Sequence, residues 1–299
     1  MPSGADPPPI CARCSLQMAR CNFLLGRAML CRLFDRGHAH WESPELMPAP
    51  LQAPPDLRVD EIALFLDVDG TLVEIEREPG AVHVPERLSR ILAELFEVGG
   101  GALTRASGRS LEQLDRLFSP LRLSAAGLHG LERRNLATGV VRSEPDPAVF
   151  EPARARLDRF AKDHAGVLLE DKGLTLALHY RKASELEREA KSLAQSVAAA
   201  SGGALVLLEG KKVLELKPPG CDKGEAIAAF MDEPPFRGRH PVFAGDDVTD
   251  EAGFATINRL GGISIRIGAD SRPTAALYGH RDVSSMQDWL LGLLGAIAA

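Results

Sequence analysis

ALFLDVDGTLVEI, residues 63–75, joins a continuous apolar run to an acidic turn. Ile62, Ala63, Leu64, Phe65 and Leu66 lead into Asp67, Val68, Asp69, Gly70 and Thr71. An uninterrupted apolar run bounded by turn residues reads as a strand buried on both faces, the usual state within a parallel sheet. Open parallel sheets bind ligands just beyond the carboxyl ends of their strands, where Asp67 and Asp69 stand. Side chains alternate along an extended chain, so the two carboxylates can point to one side. Like charges this close repel unless a cation lies between them, and such oxygen donors suit Mg2+ together with a substrate phosphate. Gly70 permits a sharp turn or a positive φ. Taken alone, an Asp-Gly pair is also an ordinary turn, so the reading depends on what the rest of the chain supplies.

Three further segments supply matching parts. In ALTRASGRS, residues 102–110, a second parallel strand is expected to end at Ser107, Gly108 and Arg109, although Thr104 and Arg105 fall where a buried strand should be apolar. Ser110 and Gln113 form a capping box for the helix LEQLDRLF. A serine at a strand end beside a helix N-terminus can bind a phosphate oxygen through its hydroxyl and the nearby amides. In PPGCDKGEAIAAFM, residues 218–231, Asp222 and Glu225 cap a helix whose first turn carries Lys223. A lysine there can neutralise a phosphate and an attacking carboxylate together. In PVFAGDDVTDEAGF, residues 241–254, a short buried strand ends in Gly245, Asp246, Asp247, Thr249 and Asp250. Two acidic clusters, each following a buried strand, are a strong sign of a cation site, because a parallel sheet brings such ends together.

Between these segments the periodicity changes. A helix is expected over 86–97, ended by Gly99, Gly100 and Gly101, and another from Asp146-Pro147 to about His164. VLLEDKGLTLALHYR, residues 167–181, reads as two strands around a turn, with Leu174, Leu176 and Leu178 alternating with Thr175, Ala177 and His179 as in a half-exposed sheet. Ser184 and Glu187 are expected to cap a helix through about Ala200, and ALVLLEGKKVLELKP, residues 204–218, reads as a hairpin around Gly210. This is a small α+β insert able to close over substrate and exclude water. A strand at Ile263–Ile267 and a helix from Met286 complete the core.

The chain has 299 residues, 45% apolar and 25% charged, a globular profile with room for one large domain or two ordinary ones. Its net charge of −6 argues against nucleic acid as a partner. No apolar run approaches the roughly 18 residues that span a bilayer, and Arg20, Arg27 and Arg32 interrupt any secretory core, so no membrane partner and a cytoplasmic location are expected. Residues 1–56, with prolines at 7–9 and again at 48, 50, 54 and 55, are expected to be a disordered extension. Cys11, Cys14, Cys21 and Cys31 lie in it, with His38 and His40 following, but they match no zinc-ribbon spacing.

DVDGT, the Ser107-Gly108-Arg109 turn, PPGCDKG and GDDVTDE resemble, in order, the four motifs of phosphatases of the haloacid dehalogenase superfamily. With GLHG, EDKGLTLALHYR and LEGKKVLELKP added, nearly all of residues 60–295 resembles the trehalose-phosphatase family. That resemblance implies an α/β fold: a Rossmann-like parallel-sheet core at 57–129 and 213–299, and an α+β cap at 130–212. It implies hydrolysis of trehalose 6-phosphate, with Asp67 as nucleophile forming an aspartyl phosphate and Asp69 as acid and base; the residues alone do not separate those two roles. Mg2+ would be held by Asp67, the Asp69 carbonyl, Asp246 and Asp247, supported by Asp250. Ser107, Gly108, Arg109 and Lys223 would hold the phosphate. Glu170, Lys172 and Glu209 would bind sugar hydroxyls through charge-assisted hydrogen bonds, with His129 and Arg133 near the domain junction. A separate trehalose-6-phosphate synthase would supply the substrate. Hydrolysis of another sugar phosphate, such as sucrose or glucosylglycerol phosphate, a catalytically silent sugar-phosphate sensor and a phosphomutase are the other readings.

Overall fold

The structure, a computed structural model, describes residues 51–76, 81–144, 146–269 and 272–295. The N-terminal cysteines and most of the expected extension lie outside these residues. Its last part, from Leu51, lies against the core: Gly279 N donates to Gln52 O at 2.9 Å.

β1 (Ile62–Leu66) forms where the apolar run predicts it, and all five residues are buried. It lies parallel between β10 (His240–Gly245) and β2 (Leu103–Ala106). Its alternate side chains enter different cores. Leu64 and Leu66 pack with Leu88, Leu92 and Leu95 of α1 (Glu86–Val98) and Leu290 of α7 (Val283–Gly295). Ala63 and Phe65 pack with Ile227 and Phe230 of α5 (Lys223–Met231) and Phe254 and Ile257 of α6 (Glu251–Arg259). Helices therefore cover both faces, which is why the strand is apolar without alternation. Outward from β10 run β11 (Ile263–Ile267) and β12 (Tyr278–His280), both parallel. Outward from β2 runs β3 (Ser124–Gly127), also parallel, and then an antiparallel hairpin, β4 (Glu132–Asn135) and β5 (Gly139–Arg142). The core sheet has eight strands in the order β12-β11-β10-β1-β2-β3-β4-β5.

The second sheet is antiparallel, in the order β6 (Leu168–Asp171), β7 (Leu176–His179), β9 (Val213–Lys217), β8 (Val206–Gly210). α3 (Pro147–Asp163) and α4 (Glu187–Ala200) cover one face through Leu157, Ala190, Ala194 and Val197, packed on Leu176, Leu178, Leu214 and Leu216. Sheet membership differs from the expected boundaries at both ends. β4 and β5, expected in the cap, extend the core sheet; β9, which the expected boundary at 213 put in the core although the hairpin reading of 204–218 put it in the insert, is an inner strand of the cap sheet. The inserted run is therefore α3 to β9.

Two local expectations also change. Thr175 and Ala177 are fully buried rather than half-exposed, because the second face of the cap sheet lies over the core instead of facing water. Ser184 does not cap α4: the helix starts at Glu187 after a short 3-10 turn, and the Ser184 hydroxyl donates to Arg181 O. The Ser110–Gln113 box forms as read at the start of α2 (Leu111–Leu117), with both bonds present. No helix among the described residues is long and apolar enough to cross a membrane.

β2 forms despite Thr104 and Arg105, both of which are wholly buried. The Arg105 guanidinium lies 4.6 Å from the Phe118 ring centroid and 3.9 Å from Asp115, which also takes a two-pronged contact from Arg134 at 2.6 and 2.7 Å. Nε and Nη2 of Arg105 have no hydrogen-bond partner. Burial, then the nearby Arg134, push the Arg105 pKa down to about 10 against the pull of Asp115. A buried charge so thinly partnered adds little stability, and an apolar residue of similar volume removes its desolvation penalty. Arg105→Met is expected to leave stability unchanged or raise it by up to about 2 kcal/mol, while Asp115→Ala, which strips the carboxylate shared by the arginines, should lower it by about 3 kcal/mol. Urea unfolding midpoints of the two variants, compared with wild type, decide this.

Candidate active site

The parallel register sets the ends of β1, β2 and β10 side by side, with Leu66 opposite Ala244 and Arg105. Asp67, Ser107 and Asp246 therefore follow at one level, at the point where the chain order diverges to either side of β1. Asp67, Ser107 and Asp246 are buried, and so are Asp250 and Lys223, which arrive from the loop after β10 and the first turn of α5.

Lys223 Nζ donates to Asp67 Oδ1 and to Asp250 Oδ1, each at 2.6 Å. Burial alone would push its proton off, but Asp250 and Asp67 outweigh that and hold the ammonium charged. The other oxygen of Asp250 accepts from the backbone N of Asp246 and Asp247 at 3.0 and 2.9 Å, so this carboxylate fixes the acidic loop and the lysine together. Burial pushes the Asp67 carboxyl well up, against Lys223. Burial, with Asp250, raises Asp246 to about 6, against Lys211.

One oxygen each of Asp67, Asp246 and Asp250 lie within 4.8 Å of one another. Gly70, at φ +88°, leaves no room for a side chain: a Cβ there would come within 2.2 Å of Asp246 Oδ2. Buried, crowded carboxylates that hold their protons tightly fit a small hard cation. Asp67 and Asp246 could donate to it. The Asp250 oxygens are already engaged, by Lys223 and by the backbone N of Asp246 and Asp247. Asp247 Oδ1 instead accepts from Val248 N at 2.8 Å and lies 3.3 Å from Arg272 Nη1, and Asp247 is outside the clustered group.

Ser107 Oγ accepts from Arg109 N at 3.1 Å, shaping the turn. Arg109 was expected on the phosphate; its guanidinium makes a two-pronged bond to Asp69, with both distances 2.7 Å. Gly108 is packed against His129, whose ring a Cβ would meet at 2.7 Å, and its carbonyl accepts from Lys172 Nζ at 2.9 Å.

The core-facing side of the cap sheet carries the polar groups. Glu170, Ala177 and Glu215 stand in one row across β6, β7 and β9. Glu170 accepts from Gln113 of the core at 2.7 Å and meets His179 at 2.9 Å; chiefly the His179 hydrogen bond, against burial, lowers its pKa to about 2. Glu215 meets Lys172 at 3.2 Å, Thr175 Oγ1 at 2.5 Å and His129 Nε2 at 3.1 Å. Burial raises the Glu215 carboxyl, but Lys172, His129 and Thr175 outweigh it and keep it ionised.

Glu209 is not in this group. It pairs across the ladder with Leu214, on the helix-packed face, and its carboxylate takes Lys191 of α4 at 3.0 Å. Arg133 is likewise elsewhere, bonded to Glu233 at 2.8 Å and lying over Phe230. Glu215 was missed, although its signal was present: Leu214 and Leu216 alternate with Glu215 and Lys217. Gln113 was read only as a capping residue, and His179 and Lys211 lay inside quoted stretches without being singled out.

Comparison with known proteins gives the same reading. The trehalose-phosphatase family profile matches residues 65–284. The chain belongs to the trehalose-phosphatase family. It is 42% identical over 240 residues to a probable trehalose-phosphate phosphatase of Sinorhizobium fredii, covering 80% of this chain and 89% of that one. It is 44% identical over 246 residues to trehalose-6-phosphate phosphatase of Escherichia coli, covering 82% and 90%. The C-terminal domain of Candida albicans trehalose-6-phosphate phosphatase shares the fold, with a TM-score of 0.70 at 21% identity over 79% of this chain and 92% of that one. The trehalose-phosphatase fold thus carries the buried acidic cluster at the meeting of β1 and β10.

The raised Asp246 value has a signed consequence for stability. Between 3.8, the ordinary value, and about 6, the native state retains a proton that the unfolded chain has released. Stability therefore falls as pH rises through that window, and the penalty is complete above it. In EDTA, Asp246→Asn should raise the melting temperature at about pH 7.5, with the gain shrinking toward about pH 4. Calorimetric melting across that range checks it.

Proposed function

We propose that this protein hydrolyses trehalose 6-phosphate to trehalose and phosphate through a phosphoenzyme on Asp67. A carboxylate oxygen of Asp67 attacks phosphorus in line with the departing sugar oxygen. Asp69 gives a proton to that oxygen, then takes one from the water that hydrolyses the aspartyl phosphate. Lys223 and Ser107 hold the phosphoryl oxygens, and Lys223 also opposes the upward push of burial on the Asp67 carboxyl. Mg2+ is the cation we assign to Asp67 and Asp246, with the Asp69 carbonyl and Asp247 as its other expected ligands; when bound it neutralises charge on the transferring group. The protein works in the cytoplasm on substrate from a separate trehalose-6-phosphate synthase.

Membership of the trehalose-phosphatase family, with 44% identity to a trehalose-6-phosphate phosphatase, supports trehalose over other sugars, and the charged row on the cap supports a polyhydroxyl group. Lys172 bridges the phosphate turn at Gly108 and the Glu215 carboxylate, so a polyhydroxyl group attached to a phosphate would lie along Glu170, Lys172 and Glu215. Ionised carboxylates and an ammonium make strong, directional bonds to sugar hydroxyls. Glu215 takes the place expected of Glu209.

Phosphate release from a panel of sugar phosphates tests the reading. Trehalose 6-phosphate should be preferred, and release should be lost in EDTA and reduced at least about 1,000-fold in Asp67→Asn. Preference for another sugar would sink the cap assignment while keeping the chemistry. Within the cap, Glu215→Gln should raise KM for trehalose 6-phosphate by about tenfold or more, while Glu209→Gln stays within about twofold of wild type.

A further inference from the structure

We infer that Lys211, at the tip of the β8–β9 hairpin, is a phosphate-contacting residue that the cap contributes to the active site. The inference rests on the phosphatase reading but not on the identity of the sugar.

The charge around the strand ends motivates it. Asp67, Asp69, Asp246, Asp247 and Asp250 face Lys223, Arg109 and Arg272 from the core. A divalent cation balances that set. A phosphate dianion then brings two further negative charges, and the structure sets a cap ammonium where it can meet them. Lys211 Nζ lies 3.3 Å from Asp246 Oδ2. The Asp246 ligand oxygen is within 4.8 Å of that of Asp67, so a phosphoryl group on Asp67 comes within reach of the ammonium. The Lys211 side chain is 52% exposed while Asp246 is 7% exposed, which puts the ammonium at the mouth of the cluster. Only one of its three N–H donors is needed for Asp246.

The hairpin tip is held firmly, so this placement is not a loose surface lysine. Lys212 adopts φ +64° to make the turn and bonds Glu187 of α4 at 2.6 Å. Arg181 donates to Lys211 O at 3.2 Å and also to Glu76 O of the core. Neighbouring residues therefore fix the Lys211 backbone over the acidic loop, with its ammonium beside Asp246. Its charge acts only when the cap is down: closure strengthens the hold on phosphate, and opening weakens it for release.

The test uses the Mg2+-loaded protein, Lys211→Met and Lys211→Arg. Inorganic phosphate and trehalose serve as inhibitors of 4-nitrophenyl phosphate hydrolysis, and binding of inorganic phosphate is measured by calorimetry. Lys211→Met should weaken phosphate inhibition and binding by about tenfold, leave trehalose inhibition unchanged, and raise KM more than it lowers kcat. Lys211→Arg should recover most of the loss. Unchanged phosphate binding in Lys211→Met overturns the inference. So does tighter Mg2+ binding with phosphate unaffected, since the lysine would then only occupy the cation's place. Because neither 4-nitrophenyl phosphate nor inorganic phosphate engages the sugar row, a failure of the trehalose assignment would leave this test standing.

Discussion

The Lys223 ammonium between Asp67 and Asp250 is the interaction on which the site depends. A parallel sheet with helices on both faces delivers its strand ends to one place, and here two of those ends, β1 and β10, deliver acids. Burial pushes both Asp67 and Asp246 up, and the Lys223 ammonium, 2.6 Å from Asp67 and from Asp250, opposes that push at Asp67. Lys223 lies too deep to reach solvent, and its charge survives burial only because both acids face it. Asp250 then anchors the loop that carries Asp246 and Asp247. One ammonium therefore ties α5, β1 and the β10 loop into a single charged unit.

The cap adds a second charged layer built on a different principle. Its sheet has an apolar face filled by α3 and α4 and a polar face lowered onto the core. β9 serves both: Leu214 and Leu216 enter the helix-packed core, while Glu215 turns to Lys172 and His129. The polar face is buried by the other domain rather than by its own helices, which explains why Thr175 and Ala177 are inaccessible while the strand still alternates in sequence.

Much of this was legible from residue order. The apolar run before Asp67, the Ser110–Gln113 box and the second acidic cluster each specify local structure strongly enough to read, because burial on both faces and capping geometry leave a direct imprint on composition. Sheet membership did not. Glu132–Arg142 is a short hairpin-compatible run, and its joining the core sheet rather than the cap is settled by long-range pairing that periodicity does not encode. Glu209 and Glu215 show the same limit at one residue's scale. Both lie in one hairpin and both are acidic, but only one register puts a carboxylate over the core. Arg109 shows another: its motif placed it beside the phosphate turn, but its bond to Asp69 depends on the approach of two loops.

The turn at Leu128–Gly130 shows how the layers are coupled. Leu128 and His129 hold φ of 51° and 56°, a conformation disfavoured for residues with a Cβ, and each such residue costs on the order of 1 kcal/mol or more. The strain has a visible product. It lays the His129 ring on Gly108 and its Nε2 on Glu215, while Gly130, at φ 101°, passes so close to the Asp222 carbonyl that a Cβ would fall 2.7 Å from it. Three residues thus touch the phosphate turn, the cap row and the residue preceding Lys223. Relaxing this turn would move the ring off Gly108 and Glu215 together, so one imidazole joins the turn after β2 to the charged row of the cap.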